Sequence, residues 1–270
     1  MPATGAYLGA WLNPTGVTKG SFVAETQALP GIQAAIGRPL TLLHLYVGFN
    51  NPAPVAQLQT IDGNGSLPIL DWACPPSAAA VAAGSDDAQI TAEAQALKNF
   101  GRPMFLRWCW EMNLVASHPG VEDPATFVAA WRHIWTIFQT VGATNVAFLW
   151  CPAATGHDPA PYYPGNGYVG WIGIDGYDRT GTGTFGSVFG SFYADWSGQG
   201  KPMMVVETGS PATNQVAYLH SVATQMPAMP LFKGFVYFDA VGPLNDWRLG
   251  PTGLAAFGQL ARNPYFMPPT

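Results

Sequence analysis

Residues 105–113 read Phe-Leu-Arg-Trp-Cys-Trp-Glu-Met-Asn, a largely apolar run that closes on one carboxylate, Glu111. Residues 201–209 repeat this arrangement as Lys-Pro-Met-Met-Val-Val-Glu-Thr-Gly and close on Glu207. Short apolar runs of this kind are typical of buried strands. Because packing alone gives a buried strand little reason to end on an acid, we expect both carboxylates to have a functional role.

Similar runs, rich in β-branched and aromatic residues, recur along the whole chain and predict eight strands. They lie at Ala6–Leu12, Leu40–Val47, Leu67–Trp72, Pro103–Trp110, Asn145–Trp150, Trp171–Asp175, Met203–Glu207 and Gly234–Asp239. Most of these runs are apolar at nearly every position. This pattern is typical of parallel strands that are covered on both faces.

Helical patterns lie between the predicted strands. In the clearest, Pro124–Val141, Asp123 can cap the free amides and Pro124 takes the first helical position. One apolar stripe follows, made of Phe127, Trp131, Ile134, Trp135 and Phe138. Further helices are predicted at Asp86–Phe100, Ala212–Gln225 and Thr252–Ala261, whereas Cys151–Gly170 is rich in Pro, Gly and Tyr and is predicted to be a loop.

Eight strands alternating with helices favour an α/β fold of the (β/α)8 TIM-barrel type over a doubly wound sheet. No glycine-rich phosphate turn of a doubly wound sheet is found, since the tract Gly181-Thr182-Gly183-Thr184 does not open a phosphate-binding helix after a strand in the required pattern. A length of 270 residues suits one barrel, which usually needs about 250 residues. We predict a single barrel domain over residues 1–270.

The charge pattern limits the classes of partner. The net charge is −5 and no run of Lys or Arg is present, so we expect neither nucleic acid nor an anionic membrane as partner. No apolar stretch reaches the roughly 20 residues of a membrane-spanning helix. Residues 1–5 do not resemble the start of a signal peptide, yet the low charged fraction of 10% favours an extracellular or cell-wall setting.

Three cysteines, Cys74, Cys109 and Cys151, are too few and too widely spaced for a disulfide scaffold or a Cys-x-x-Cys zinc site. The favoured interpretation is three buried free thiols. All three nevertheless lie at or just beyond the ends of consecutive predicted strands, so one disulfide between neighbours is the alternative.

The two glutamates fall on predicted strands four and seven, at the carboxyl ends where parallel barrels build their active sites. Hydrolysis of a glycosidic bond with retention needs a proton donor and a nucleophilic carboxylate about 5–5.5 Å apart. Glu111 lies among Trp108, Trp110 and Met112, and an apolar setting suits an acid that must keep its proton. Glu207 is followed by Thr-Gly-Ser, whose hydroxyls and amides suit an anionic nucleophile.

Several motifs resemble glycoside hydrolase family 26, a family of retaining barrels with the acid/base on strand four and the nucleophile on strand seven. The resemblance covers nearly the whole chain. It rests on Arg107 with Glu111-Met112-Asn113, Trp150-Cys151-Pro152, Tyr162-Tyr163-Pro164-Gly165, Tyr168-Val169-Gly170-Trp171, Ile174-Asp175-Gly176-Tyr177 and Lys201-Pro202 before Glu207.

The resemblance implies a role for each matching residue. Glu111 is expected to be the acid/base, Glu207 the nucleophile and Tyr177 the tyrosine that donates a hydrogen bond to the nucleophile. Trp247 is similar to the aromatic platform under the sugar at the cleavage point. The remaining expected substrate-binding residues are Trp110, Trp72, Asn113 and Arg107, and core packing is the alternative for Trp72.

Two departures from the family pattern bear on the substrate. The family usually has histidine directly before the acid/base, where this chain has Trp110, and a tryptophan cannot titrate. The aromatic segment that often follows Asn113 is replaced by residues 114–118, Leu-Val-Ala-Ser-His. We expect an endo-acting retaining β-glycan hydrolase, with β-1,4-mannan first and β-1,3-xylan, mixed-linkage β-glucan or a cell-wall glycan as further substrates.

Two other function classes stay open. The departures at Trp110 and after Asn113 suit a carbohydrate-binding pseudoenzyme that has lost turnover. A metal-dependent barrel hydrolase would have to use some of the five histidines, which form neither a His-x-His nor a His-Glu-x-x-His pair: His44, His118, His133, His157 and His220. We therefore expect no metal and no cofactor, a polysaccharide or oligosaccharide as the partner, and a monomer.

Overall fold

A computed structural model describes residues 1–13, 22–242 and 245–266 of the chain. In these residues the strands are β1 (Tyr7–Asn13), β2 (Leu42–Val47), β3 (Leu67–Trp72), β4 (Met104–Trp108), β5 (Val146–Trp150), β6 (Trp171–Asp175), β7 (Met203–Glu207) and β8 (Phe232–Ala240). They follow one another in chain order as a closed barrel, and every strand pair with a defined register is parallel. The predicted (β/α)8 fold is confirmed.

The helices of the described residues are α1 (Phe22–Ile36), α2 (Val55–Gly63), α3 (Ala78–Ala82), α4 (Asp87–Phe100), α5 (Pro124–Val141), α6 (Phe185–Trp196), α7 (Gln215–Gln225) and α8 (Pro251–Ala261). Helix α5 has the predicted bounds, and the Asp123 side chain accepts hydrogen bonds from the amides of Ala125 and Thr126. The predicted loop after β5 holds only two short 3₁₀ turns, Ala160–Tyr162 and Asn166–Tyr168.

Four helices, α1, α2, α3 and α6, were not predicted from the sequence. Helix α1 contains Pro30, and α6 contains Gly186 and Gly190, residues with poor helix propensity. Helix α6 is nevertheless fixed at its start by a capping box between Thr184 and Ser187. Tertiary packing of its Phe-rich face then outweighs the weak local preference.

The contacts of the chain divide into two compact units. The central unit is His44–Gly173, and the terminal unit combines Met1–Leu43 with Ile174–Thr270. In the central unit, β3 and β4 pair from Ile69 with Phe105 to Trp72 with Trp108. The prediction of a single domain stays a prediction.

Each unit has its own apolar core. Four tryptophans of the central unit are fully buried: Trp72, Trp108, Trp131 and Trp150. In the terminal unit, β1 and β8 pair along their whole length, from Tyr7 with Gly234 to Asn13 with Ala240.

None of the described helices has the length and apolar character that a membrane span needs.

Candidate active site

In the central unit, Glu111 lies just past the end of β4, in a turn with an unusual backbone. Cys109 has φ 47° and Glu111 has φ 53°, both in the left-handed region that side chains rarely adopt. The Cys109 amide donates to the Trp72 carbonyl, and the Glu111 amide donates to the Cys151 carbonyl, both at 2.8 Å. Such backbone outliers concentrate at functional sites because the surroundings must hold them in place.

A disulfide between Cys74 and Cys109 further anchors this turn. The favoured interpretation of three free thiols is therefore wrong for these two residues, whereas Cys151 is free and buried. The pairing of Trp72 with Trp108 explains the bond, because it brings the residues that follow β3 and β4 side by side. Sequence reasoning allowed this pair only as an alternative.

Arg107 lies on β4, two residues before Cys109, and is fully buried. Its Nε forms an ion pair with Asp71 Oδ1, and its Nη2 donates to the Tyr46 hydroxyl at 3.2 Å. The other Asp71 oxygen is 2.7 Å from His44 Nδ1. A buried arginine needs such partners. Arg107 is therefore part of the protein interior in this structure, and its expected contact with the substrate stays a prediction.

Two other expected substrate contacts are also part of the protein interior. Asn113 is 1% exposed; its amide donates to the carbonyls of Ala153 and His157 at 2.9 Å and accepts from the Ala153 amide. Trp72 is fully buried, stacks on Phe49 and donates its Nε1 hydrogen to the Phe49 carbonyl. This packing favours the alternative of core packing for Trp72, and sugar contact by either residue stays a prediction.

Trp110 and Glu111 are half-buried, in contrast to these neighbours. The Trp110 ring meets the Tyr46 ring edge-on at 5.3 Å, and the Arg107 guanidinium lies over the Trp110 ring at 5.2 Å. Tyr46 is half-buried too. Sequence reasoning missed Tyr46, although its position at the end of β2 was a usable signal.

In the terminal unit, Glu207 is the last residue of β7 and is 6% exposed. The Tyr177 hydroxyl donates to Glu207 Oε2 at 2.7 Å, which is the hydrogen bond that the family resemblance implies. The backbone fixes Tyr177 on both sides. The Gly176 amide donates to the Glu207 carbonyl at 3.0 Å, and the Asp178 amide donates to the Gly209 carbonyl at 2.9 Å.

Asp178 organises the loops around Tyr177 and was not identified from the sequence. Its Oδ1 accepts from the amides of Thr180, Gly181 and Gly183, and its Oδ2 accepts from Ser210 and Asn214. Burial alone would raise the pKa of Asp178, but these hydrogen bonds outweigh it and lower the pKa to about 2. Its place between Tyr177 and a Thr/Gly-rich turn was the available signal.

Trp247 stacks on Tyr177 with ring centroids 4.9 Å apart. Gly209 permits this packing, because a Cβ atom at residue 209 would lie 2.8 Å from Trp247 Cβ. Only 3% of Trp247 is exposed, so in this structure it supports Tyr177. Its role as a sugar platform stays a prediction.

An aromatic row continues from Tyr177 toward β1 and was also missed. Phe238 meets Tyr177 edge-on at 6.0 Å and stacks on Trp11 at 4.6 Å. The β1–β8 register pairs Trp11 with Phe238 directly. All three rings are half-buried, which leaves apolar surface at this end of the strands.

A cleft of about 370 Å³ lies after β8 in the terminal unit. Five residues line it: Asp239, Asp246, Arg248, Leu249 and Gly250. Burial raises the pKa of Asp239 to about 6, and the hydrogen bond from the Leu249 amide offsets part of this rise. Asp246 and Arg248 form an exposed ion pair at 2.6 Å.

Four of the five histidines named for a metal-dependent alternative have separate side-chain partners. His44 contacts Asp71, His118 Nδ1 lies 3.3 Å from Cys74 Sγ, His133 contacts Asp87 and His220 contacts Gln259. Across the part of the chain that the structure describes, no group of three His, Cys, Asp or Glu side chains is placed to hold a metal ion.

Comparison with known proteins gives one family match. The profile of "Glycosyl hydrolase family 26" matches residues 74–239. Endoglucanase H of Acetivibrio thermocellus is 29% identical over 229 residues, covering 77% of this chain and 24% of that protein. β-1,3-Xylanase TXYA of a Vibrio species is 30% identical over 100 residues, covering 35% of this chain and 21% of that protein.

The fold is also similar to solved structures. One is the mannanase BCman of Bacillus subtilis, with a TM-score of 0.70 and 16% identity, covering 96% of this chain and 85% of that chain. At this identity the likeness concerns the fold. The chain spans about a quarter of the length of the curated relatives it matches.

Proposed function

Because the chain belongs to glycosyl hydrolase family 26, we propose that it is a retaining, endo-acting β-glycoside hydrolase with Glu207 as nucleophile and Glu111 as acid/base. One observation carries the assignment. Glu207 ends β7 as a nearly buried carboxylate that accepts a hydrogen bond from Tyr177. A carboxylate that is held by one short, charge-assisted hydrogen bond is oriented for attack.

The reaction has two steps: Glu111 donates a proton in the first and accepts one in the second. Glu207 attacks the anomeric carbon while protonated Glu111 transfers its proton to the leaving oxygen, so the glycosidic bond breaks as the glycosyl–Glu207 ester forms. Glu111, now a carboxylate, takes a proton from water as the water oxygen attacks the anomeric carbon, and the bond between that carbon and the Glu207 oxygen breaks. The sugar leaves with its configuration retained and Glu207 is a carboxylate again.

The family resemblance favours β-1,4-mannan as the substrate, and the mannanase fold match agrees with it. The curated relatives carry the names of an endoglucanase and a β-1,3-xylanase. We therefore propose a β-linked polysaccharide or oligosaccharide backbone, with β-1,4-mannan first and β-1,3-xylan and mixed-linkage β-glucan next. The enzyme acts as a single-domain monomer in an extracellular or cell-wall setting, without a metal or cofactor.

The test is a panel of these three glycans with product chromatography, and NMR of the first-formed anomer. We expect a ladder of oligosaccharides from one substrate, which is the mark of endo action, and a β-anomer as first product. Release of monosaccharide alone would contradict endo action, and a first-formed α-anomer would contradict the retaining mechanism. A strong chelator in the same assay should leave the rate unchanged.

The second candidate is a carbohydrate-binding pseudoenzyme, which is favoured by Trp110 in the place of the family's usual histidine. The same panel separates the two. Binding of a glycan without any product, at high enzyme concentration and long incubation, would favour the pseudoenzyme.

A further inference from the structure

We infer that Tyr46 and Trp110 form a sugar-binding wall that selects between β-linked pyranosyl units, and that Arg107 positions this wall. The inference rests on the proposed glycoside hydrolase function and deepens it. Tyr46 is the penultimate residue of strand β2, and Trp110 lies two residues past β4 and directly before Glu111. Both side chains belong to the central unit and are half-buried.

The two rings form a corner. Their centroids are 5.3 Å apart and their planes meet at 70°. A flat pyranose has an apolar C–H face and a polar rim, so one ring of such a corner can lie against the face while the other borders the rim. A corner therefore contacts substituents of the ring as well as the ring itself, which a single stacked platform does not.

A buried ionic network holds the corner from the protein side. The Arg107 guanidinium lies over the Trp110 ring at 5.2 Å and over the Tyr46 ring at 5.8 Å, and its Nη2 donates to the Tyr46 hydroxyl. Cations over aromatic faces are attracted by the ring electrons, more so when water is excluded. Because the guanidinium occupies one face of Trp110, the opposite face is the one left for a ligand.

Arg107 is in turn fixed by its own partners. Asp71 binds Arg107 with one carboxylate oxygen and His44 with the other, and all three side chains are fully buried. The His44 ring stacks on the Tyr46 ring with centroids 5.8 Å apart. Tyr46 is thus contacted by Arg107, His44 and Trp110, which leaves the corner little rotational freedom and lowers the entropy lost on binding.

The corner predicts a preference for hexose over pentose units. A hexopyranose carries a C6 methylene on its rim, and a pentopyranose lacks it. An apolar ring beside the rim gains contact area with that methylene, which favours the hexose substrate. Arg107 is a positioning residue in this scheme, since its buried guanidinium acts on the sugar through the two rings.

The chain offers a matched control in Tyr168. Its ring also meets a tryptophan edge-on, Trp135 at 4.9 Å, and also lies under a guanidinium, Arg132 at 5.0 Å. Tyr168 is half-buried in the central unit as well, but it precedes β6 and so lies at the opposite strand end from the candidate site. A variant at residue 168 removes the same kind of packing without touching the wall.

The experiment measures kcat and KM on manno-, gluco- and xylo-oligosaccharides for wild type, Tyr46→Ala, Tyr46→Phe and Tyr168→Ala. We expect Tyr46→Ala to lower the hexose-to-pentose ratio of kcat/KM by about five-fold, mainly through KM. Tyr46→Phe keeps the ring, so it should keep the ratio and raise KM about two-fold through the lost Arg107 bond. Tyr168→Ala should lower the melting temperature and leave the ratio unchanged.

An unchanged ratio in Tyr46→Ala, or an equal change in Tyr168→Ala, would overturn the wall while leaving the proposed hydrolase intact. Absence of hydrolysis by the wild type would instead refute the proposed function. In that case the affinities of the same variants for the same oligosaccharides, measured by calorimetry, test the sugar-binding wall without hydrolysis. Loss of the hexose preference in Tyr46→Ala would support the wall, and retention of the preference would refute it.

Discussion

The two candidate catalytic glutamates are held in different ways. In the terminal unit, Glu207 ends a regular strand, and its side chain is fixed by Tyr177, with Asp178 organising the loops behind it. In the central unit, Glu111 lies beyond its strand in a turn with two left-handed residues, and a disulfide anchors that turn. The Glu207 carboxylate accepts a hydrogen bond from Tyr177, whereas Glu111 lies on a backbone turn that is itself anchored.

The difference suits the two proposed roles. A nucleophile must stay charged and aimed at one carbon, so a nearly buried carboxylate with a fixed donor is appropriate. An acid/base must exchange protons with the leaving oxygen and with water, so a half-buried carboxyl on a rigid turn is appropriate. Changes at Glu207 and Glu111 should therefore differ in kind as well as in size.

The largest effect is expected for Glu207→Gln. Without a nucleophile the covalent step cannot occur, so kcat should fall by about 10⁴-fold or more on every substrate. Stopped assays at high enzyme concentration, with intact folding checked by circular dichroism, measure this loss. Residual activity within ten-fold of wild type would assign the nucleophile elsewhere.

Glu111→Gln is the second change, and its effect should depend on the leaving group. Glycan hydrolysis should fall by about 10²–10⁴-fold because no proton reaches the leaving oxygen. An aryl glycoside with an acidic phenol needs no proton, so it should show a rapid phenol burst followed by slow turnover. Absence of the phenol burst with the aryl glycoside would contradict an acid role for Glu111.

Tyr177→Phe tests the side-chain bond to Glu207. Losing one hydrogen bond to a charged group should lower kcat/KM by about ten-fold, because the carboxylate is then less well oriented. Tyr163→Phe, which removes a hydroxyl bonded to Asn166, is the matched control and should leave kcat/KM near that of wild type. Similar losses in both variants would show a general effect of packing.

Reduction of the Cys74–Cys109 disulfide tests whether anchoring of the turn that carries Glu111 matters for activity. The bond closes a segment of 35 residues, so its loss should cost about 3–4 kcal/mol of unfolding free energy. Activity should fall several-fold through kcat, because the turn that carries Glu111 gains freedom. The measurement compares Cys74→Ser with and without reductant against reduced wild type, and full activity of the folded reduced protein would contradict an anchoring role.

Glu93→Gln should have the smallest effect on activity and a clear effect on stability. Burial raises the pKa of Glu93 in helix α4 to about 7, against a hydrogen bond with the Ala53 backbone that lowers it. In the unfolded chain a glutamate has a pKa of about 4.3, so it releases this proton at a lower pH than in the folded protein. Wild-type stability should therefore fall as the pH rises from about 4.5 to 7.

The Glu93→Gln variant has no titrating group at residue 93. At pH 8 it should therefore unfold at a higher denaturant concentration, with a free energy of unfolding about 1–2 kcal/mol above that of wild type. Its kcat should equal that of wild type, which makes it the neutral glutamate control for Glu111→Gln. A variant with the same pH slope as wild type would show that Glu93 is already charged in the folded protein.

Much of the fold could be predicted because the barrel strands are apolar at almost every position and their ends are marked by polar residues. Helix α5 was predicted with its bounds because a cap, a proline and an apolar stripe coincide. Helix α6 was missed because Gly186 and Gly190 mask its local preference, and its packing decides its structure.

The residues of the candidate site were likewise predictable from the sequence only in part. Glu111, Glu207 and Tyr177 were identified because each stands at or near a strand end within a family motif. Arg107, Asn113 and Trp72 share those motifs but have their side chains in the interior, and a motif does not say where a side chain points. Asp178 and Tyr46 were missed because their importance lies in contacts with residues distant in sequence.

The sequence by itself determined the barrel, the family resemblance and the two carboxylates, since periodicity and motif spacing are local properties of a chain. Only the tertiary structure decided that Cys74 pairs with Cys109, that Arg107 is buried against Asp71, and that Tyr46 stands beside Trp110. These contacts join residues that lie on, or just beyond, different strands. Their existence depends on strand register and packing, which one-dimensional patterns do not specify.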